Sequence, residues 1–271
     1  MEERGRQHSA RALAAAELLS RHRLGRLTFG GFPDESRPRD EAEAYETQTV
    51  LHTLLEEAGR GTVVGYKIGC TTPTMQAYLK ILRPAAGGVF ASTIQQVDGR
   101  FQHADFVRPG VECELAVRLS RELDAADAPF ERNEVRAAVG SIMAAIELVD
   151  DRYTNWGSLG ALTLIADDFF GAGCVLGSER EVWEDEVDLS LISARMTING
   201  VQVGGGVGSD ILGDPLTALM WLANEMAGYG HSFREGAFVL LGSLVQTNWV
   251  EQDDVVVVEN DPLGTVTVRF D

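Results

Sequence analysis

The chain has 271 residues, 45% of them apolar, and a formal net charge of −18. That size and composition support one large domain, or a compact domain with an appended lobe, around a core of its own. The charge argues against nucleic acid and anionic membrane as partners, and no apolar run approaches the roughly 18 residues that a membrane span needs.

Ser9 to His22 has the apolar spacing of a helix (Ala12, Leu13, Ala16, Leu19). Glu17 breaks its apolar stretch, so it reads as a helix and not as a secretory leader. A loop rich in glycine and proline runs from Gly30 to Pro38. Asp40 to Ala58 then predicts a second helix, with Asp40 as N-cap and Gly59 past its end. Residues 1–60 are thus expected to form an N-terminal helical lobe, ahead of a β-rich domain over 61–271. Strand composition marks Thr62 to Ile68, Gly110 to Leu119, Ala145 to Val149, Met196 to Val203, Ala237 to Leu244, Val255 to Glu259 and Thr265 to Phe270. Asn199-Gly200 is a two-residue hairpin signal. Two helices interrupt the strands. One is expected from Asn133 to Met143. The other starts at Pro215 behind an Asp214 N-cap and ends near Gly228. Strands and helices do not alternate regularly, which points to an α+β chain and away from a doubly wound parallel sheet.

Cys70, Cys113 and Cys174 are far apart and form no CxxC pair, so a reduced, cytoplasmic chain is expected. His8, His22, His52, His103 and His231 are scattered without metal-binding spacing and read as surface or core side chains. An anionic substrate would need local positive charge against the overall field, and a bound cation or a buried lysine would supply it.

Three segments could carry that chemistry. In "VECELAV", alternation puts Val111, Cys113, Leu115 and Val117 on one face and Glu112, Glu114, Ala116 and Arg118 on the other. The acids are then either a solvated outer face or two metal ligands on a rigid strand. In "AAIELVDDRYTNW", Glu147 is a lone acid in an apolar run, either outward-facing or a third ligand. In "GTVVGYKIGCTT", Lys67 either reaches solvent from a strand end or sits near a cation or substrate as a proton carrier. The glycines of "GVQVGGGVGSDILGDP" follow a hairpin and lack a GK[ST] sequence, so they read as chain reversal and close packing, not as a nucleotide loop.

In order along the chain, "VVGYKIGCTT", "VECELAV", "AAIELVDDR", "IADDFFGAGCVLG", "NGVQVGGGVGSDILGDPLTALMWLAN" and "REGAFVLLGSL" span Thr62 to Leu244. Together they make the chain resemble the 2-oxopent-4-enoate hydratase and 4-oxalocrotonate decarboxylase branch of the fumarylacetoacetate hydrolase superfamily. The resemblance implies a mixed β-sandwich roll with N-terminal helices. It implies Mg²⁺ or Mn²⁺ on Glu112, Glu114 and Glu147, and Lys67 as the catalytic lysine. The implied activity is a hydratase-like lyase acting on a small anionic 2-oxo acid through a metal-stabilised enolate. Decarboxylation and C–C hydrolysis are the alternatives within the superfamily, and a non-catalytic 2-oxo-acid-binding relative is the alternative outside catalysis. Homo-oligomers in the cytoplasm are the family habit.

Two departures from the family pattern stand out. The hydratase P-D-Y-G element reads "RPAAGGVF" here, with Ala85 and Ala86 where the acid and the aromatic would stand. The D-N-A-S element reads "DDFF". Ala85, Ala86, Asp168, Phe169 and Phe170 are therefore candidate substrate-contacting positions, and a larger or more apolar substrate is expected.

Overall fold

The computed structural model describes residues 8–181 and 187–271. Helix α1 (Ala10–Gly25) starts where Ser9 Oγ accepts the Ala12 N–H. Helix α2 (Glu41–Leu55) starts at Asp40, whose carboxylate accepts the Glu43 N–H, as expected of an N-cap. A short π-helical turn over 56–60 continues it. The two helices pack on each other, and Ala16, Leu19, Tyr45 and Leu51 join the same buried cluster as Val111, Cys113 and Leu115.

The chain then runs through β1 (Val63–Gly69), α3 (Pro73–Leu79), β2 (Ala85–Phe90), β3 (Ile94–Gln96), β4 (Asp98–Phe101) and β5 (Pro109–Leu119). Next come α4 (Arg132–Ala138), β6 (Val139–Asp150), α5 (Ala161–Ala166), β7 (Gly171–Leu176) and β8 (Arg180–Glu181). It ends with β9 (Ser193–Ile198), β10 (Val201–Val207), α6 (Pro215–Gly228), β11 (Phe238–Trp249), β12 (Val255–Asp261) and β13 (Gly264–Phe270). The Asn199-Gly200 turn joins β9 and β10 as an antiparallel hairpin. The helix expected from Asn133 to Met143 stops at Ala138. From Val139 onward Gly140, Ile142 and Val149 disfavour helix, and the run is buried on both faces as part of a twelve-residue strand.

Among the described residues the larger sheet runs β2-β1-β11-β5-β6-β7-β3, with β8 beside β6. The smaller runs β10-β9-β12-β13-β4. The larger sheet curls until β2 comes back against β7. Its inner face is plugged by a small apolar cluster that includes Ala116, Met143, Ala145, Cys174, Phe238 and Leu240. Its outer face packs on the helices and the smaller sheet, with Val256, Val258, Val266 and Val268 in the main core. This corrects the picture of a half-solvated β5. Both faces of that strand are covered, and only Glu112 and Arg118 along it are even partly exposed. No helix among the described residues is long and apolar enough to cross a membrane.

Candidate metal centre

Glu112 and Glu147 face each other directly across the antiparallel β5–β6 pair, and Glu114 lies two residues along on the same inner face. One carboxylate oxygen from each can be chosen so that all three lie within 4.8 Å of one another. Like charges directly opposite in a sheet repel, and buried ones are costly without a counter-ion. Glu114 is 1% exposed and Glu147 3%. Burial, with Glu147 and Glu112 close by, holds Glu114 well above the usual carboxylate range. Burial pushes Glu147 up to about 7, although Lys67 pulls it down. Glu114 Oε1 is buried without a hydrogen-bond partner, and Glu147 Oε1 has only the Lys67 ion pair, at 3.1 Å. Hard oxygen donors converging with unused lone pairs fit a Mg²⁺- or Mn²⁺-type cation.

The neighbouring strands fix these side chains. β11 lies between β1 and β5 and slips register between Leu240 and Ser243. Gly242, at that irregularity, has φ +129° and turns its N–H to Glu114 Oε2 at 2.7 Å. A Cβ there would come 2.6 Å from Thr71, so the close approach requires glycine. Further along β11, the Thr247 hydroxyl donates to Glu112.

Lys67 projects from β1 and is 2% exposed. It pairs with Glu147 and donates to the backbone carbonyl of Phe169. That carbonyl is presented by an unusual turn, in which Asp168, Phe169 and Phe170 have φ of 54°, 49° and 68°. Left-handed backbone costs roughly 1–2 kcal/mol per non-glycine residue, so something must hold the turn. The Asp168 carboxylate does. It meets His52 Nε2 at 2.6 Å and accepts from Arg23 Nη1 at 2.8 Å and from the Gly88 N–H at 3.0 Å. Burial opposes its ionisation, but His52 and Arg23 outweigh that and hold it below the ordinary range. Asp167 is tied beside it by Arg152 and by the Tyr153 hydroxyl.

A cavity of about 560 Å³ opens onto Lys67, Glu112 and Glu147, and its wall includes Phe169 and Phe170. Ala85, Ala86 and Asp168 are placed otherwise. The two alanines lie buried on β2, opposite Gly69 and Ile68, and do not line the cavity. Asp168 points away from it, into the His52–Arg23 cluster. Reasoning from the sequence did not single out Thr247, Gly242, His52, Arg23, Trp156 or Trp249 as site residues. Cys70 does line the cavity, but burial pushes its thiol up to about 12, which removes it as a thiolate nucleophile.

The buried acids make metal uptake proton-linked. In the metal-free fold Glu147 keeps its proton up to about 7, whereas its ordinary value is 4.5. The folded chain therefore binds more protons than the unfolded chain across that window, so metal-free stability falls as pH rises through it. Metal must displace those protons. Its affinity is expected to rise with pH, and titration calorimetry in two buffers of different ionisation enthalpy should find more protons released at about pH 6 than at about pH 8. Uptake that releases no protons at either pH would rule out the buried acids as ligands.

The curled sheet and its acid cluster define a chain that belongs to the fumarylacetoacetate hydrolase family. The model of that family's C-terminal domain matches residues 89–271. Within the family, the chain is 33% identical over 259 residues to a 2-keto-4-pentenoate hydratase of Burkholderia vietnamiensis, covering 96% of this chain and 97% of the relative. It is 35% identical over 227 residues to the TodF product hydratase of Pseudomonas putida, covering 84% and 83%. The 4-oxalocrotonate decarboxylase of Pseudomonas putida G7, complexed with magnesium and adipate, superposes with a TM-score of 0.88 at 26% identity, over 96% of this chain and 97% of that one.

Proposed function

We propose that the chain is a divalent-metal-dependent lyase that acts on a small 2-oxo acid through its enolate, in the manner of a hydratase. The observation that carries this reading is the set of three convergent glutamates, of which Glu114 and Glu147 have an oxygen without a hydrogen-bond partner and Glu112 and Glu147 line a cavity into which Lys67 also opens. Glu112, Glu114 and Glu147 would hold Mg²⁺ or Mn²⁺. Such an ion supplies Lewis acidity toward the adjacent carboxylate and keto oxygens of a 2-oxo acid.

The remaining work falls to the chain's own groups. Lys67 is the only cationic side chain lining the cavity among the described residues. Held by Glu147 and the Phe169 carbonyl, it moves the proton exchanged with the substrate carbon. The aromatic walls keep bulk water from the enolate. As parts of the same reading, the enzyme is a cytoplasmic homo-oligomer. Its three cysteines are unpaired and buried, in keeping with a reducing compartment.

Decarboxylation is the second reading, supported by the near-complete superposition on a decarboxylase. The test follows the metal-loaded protein by NMR, with 2-hydroxypenta-2,4-dienoate and with 4-oxalocrotonate. Metal-dependent formation of a 4-hydroxy-2-oxo acid supports the hydratase. Release of CO₂ without water addition supports the decarboxylase. Turnover of neither, together with no metal-dependent deuterium exchange at C3 of 2-oxobutanoate, would leave a non-catalytic binder.

A further inference from the structure

We infer that the substrate carries an uncharged apolar tail, best an aromatic one, and that this site rejects a second carboxylate. The inference rests on the proposed function, since it concerns the part of the substrate beyond the 2-oxo acid head.

The cavity wall carries few charged side chains, and Lys67 is its one cation among the described residues. Among the described residues only Lys67, Glu112, Glu147 and Asp210 on its wall are ionisable as acid or strong base. Lys67 is already committed to Glu147 and the Phe169 carbonyl, and at 2% exposure it cannot swing toward a tail. Asp210 is an anion, and its carboxylate accepts the Val207 N–H at 2.9 Å. Arg108 lies against the ring of Trp249, 4.4 Å from its centroid, but it pairs with Asp151 and does not line the cavity. A tail carboxylate inside this cavity would therefore meet no cation, since Arg23, Arg26, Arg60, Arg100 and Arg152 line a separate cavity. It would lose its water against an acid and an apolar wall, which is the costly case for a buried charge.

An apolar tail meets the opposite conditions. Met75, Val149, Trp156, Phe170, Val245 and Trp249 give the cavity a largely apolar lining. Trp156 and Phe170 stand edge to face, with centroids 5.6 Å apart and planes at 82°, and Tyr153 meets the same Phe170 ring at 5.0 Å and 90°. That fixed aromatic corner offers edges and faces to a further ring. At about 560 Å³ the cavity is in the size range of sites that enclose whole drug-sized ligands, and exceeds what the head group needs.

The test uses the full chain loaded with Mg²⁺ and measures binding of oxalate, 2-oxo-4-phenylbutanoate and 2-oxoadipate by calorimetry. Oxalate reports the head group alone. The expected result is metal-dependent oxalate binding, with 2-oxo-4-phenylbutanoate bound at least about 100-fold more tightly than 2-oxoadipate. If oxalate binds but 2-oxoadipate equals or exceeds the phenyl acid, the tail inference is overturned and the head-group chemistry stands. If oxalate fails to bind with metal present, the proposed function falls and takes this inference with it. Met75→Arg, at a half-buried position, places a cation on the tail wall. It should shift the ratio at least about 10-fold toward 2-oxoadipate. An unchanged ratio in the folded variant would mean that the tail does not meet this wall, and would also overturn the inference.

Discussion

Glu114→Gln is expected to abolish metal-dependent stabilisation while leaving the metal-free fold as stable as the wild type, or more so. Glu114 is 1% exposed, and burial beside Glu147 and Glu112 works against its charge. Glutamine keeps the shape and can still accept the Gly242 N–H, but it removes one carboxylate from a crowded cluster. With the ligand gone, metal affinity should fall by more than the roughly 10–100-fold that loss of an outer-shell partner costs. At a metal concentration about 100 times the wild-type Kd, the wild type gains about 2.7 kcal/mol from binding, and the variant about 0.4 kcal/mol or less. Thermal melts with and without Mg²⁺ or Mn²⁺ read this directly, and activity should fall at least about 100-fold. An equal metal-induced shift in both proteins would sink the metal centre. Collapse of the variant without metal would make Glu114 a structural group instead.

Lys67→Met should have the opposite signature: activity lost, metal retained. Lys67 is the cation closest to the cluster, 3.1 Å from Glu147, and it competes with the metal for the same carboxylate. Removing it leaves Glu147 more attractive to a divalent ion, so Mn²⁺ affinity should hold or rise. Turnover at saturating metal should drop by about 10²–10⁴, the range that a positioned acid–base group contributes. The metal-free variant should lose about 1–3 kcal/mol, because the Phe169 carbonyl is left without its donor. Retention of kcat within a few-fold would reduce Lys67 to a counter-ion. Measured together, the two variants separate the group that holds the ion from the group that moves the proton.

Much of this site is written locally. The N-caps at Asp40 and Asp214 and the Asn199-Gly200 turn follow from short-range hydrogen bonding, and each appears where the residues place it. Alternation along β5 groups Glu112 with Glu114 correctly. What alternation cannot convey is what lies beyond each face. The second face of β5 looks outward only if the sheet is flat. Curling turns it inward, and that depends on β2 meeting β7. The partners of Asp168 were illegible for a related reason. His52 and Arg23 lie 116 and 145 residues from it in sequence, and no spacing rule reaches that far. At Asn133 to Met143 the helical reading overran because an apolar run buried on both faces lacks a strand's alternation.

The support for Lys67 has a consequence for how such a protein can change. The lysine is held by a main-chain carbonyl, and the left-handed turn offering that carbonyl is held by the Asp168 carboxylate. No hydrogen bond in this chain of support involves the side chains at 169 and 170, which form part of the cavity wall. The Phe170 side chain can therefore change size without unseating the proton carrier, whereas the Phe169 ring lies 5.6 Å from Lys67 Nζ and forms part of its surroundings. One inherited reaction can be re-addressed to new tails by exchanging a wall side chain, such as that of Phe170, that holds none of the reacting groups.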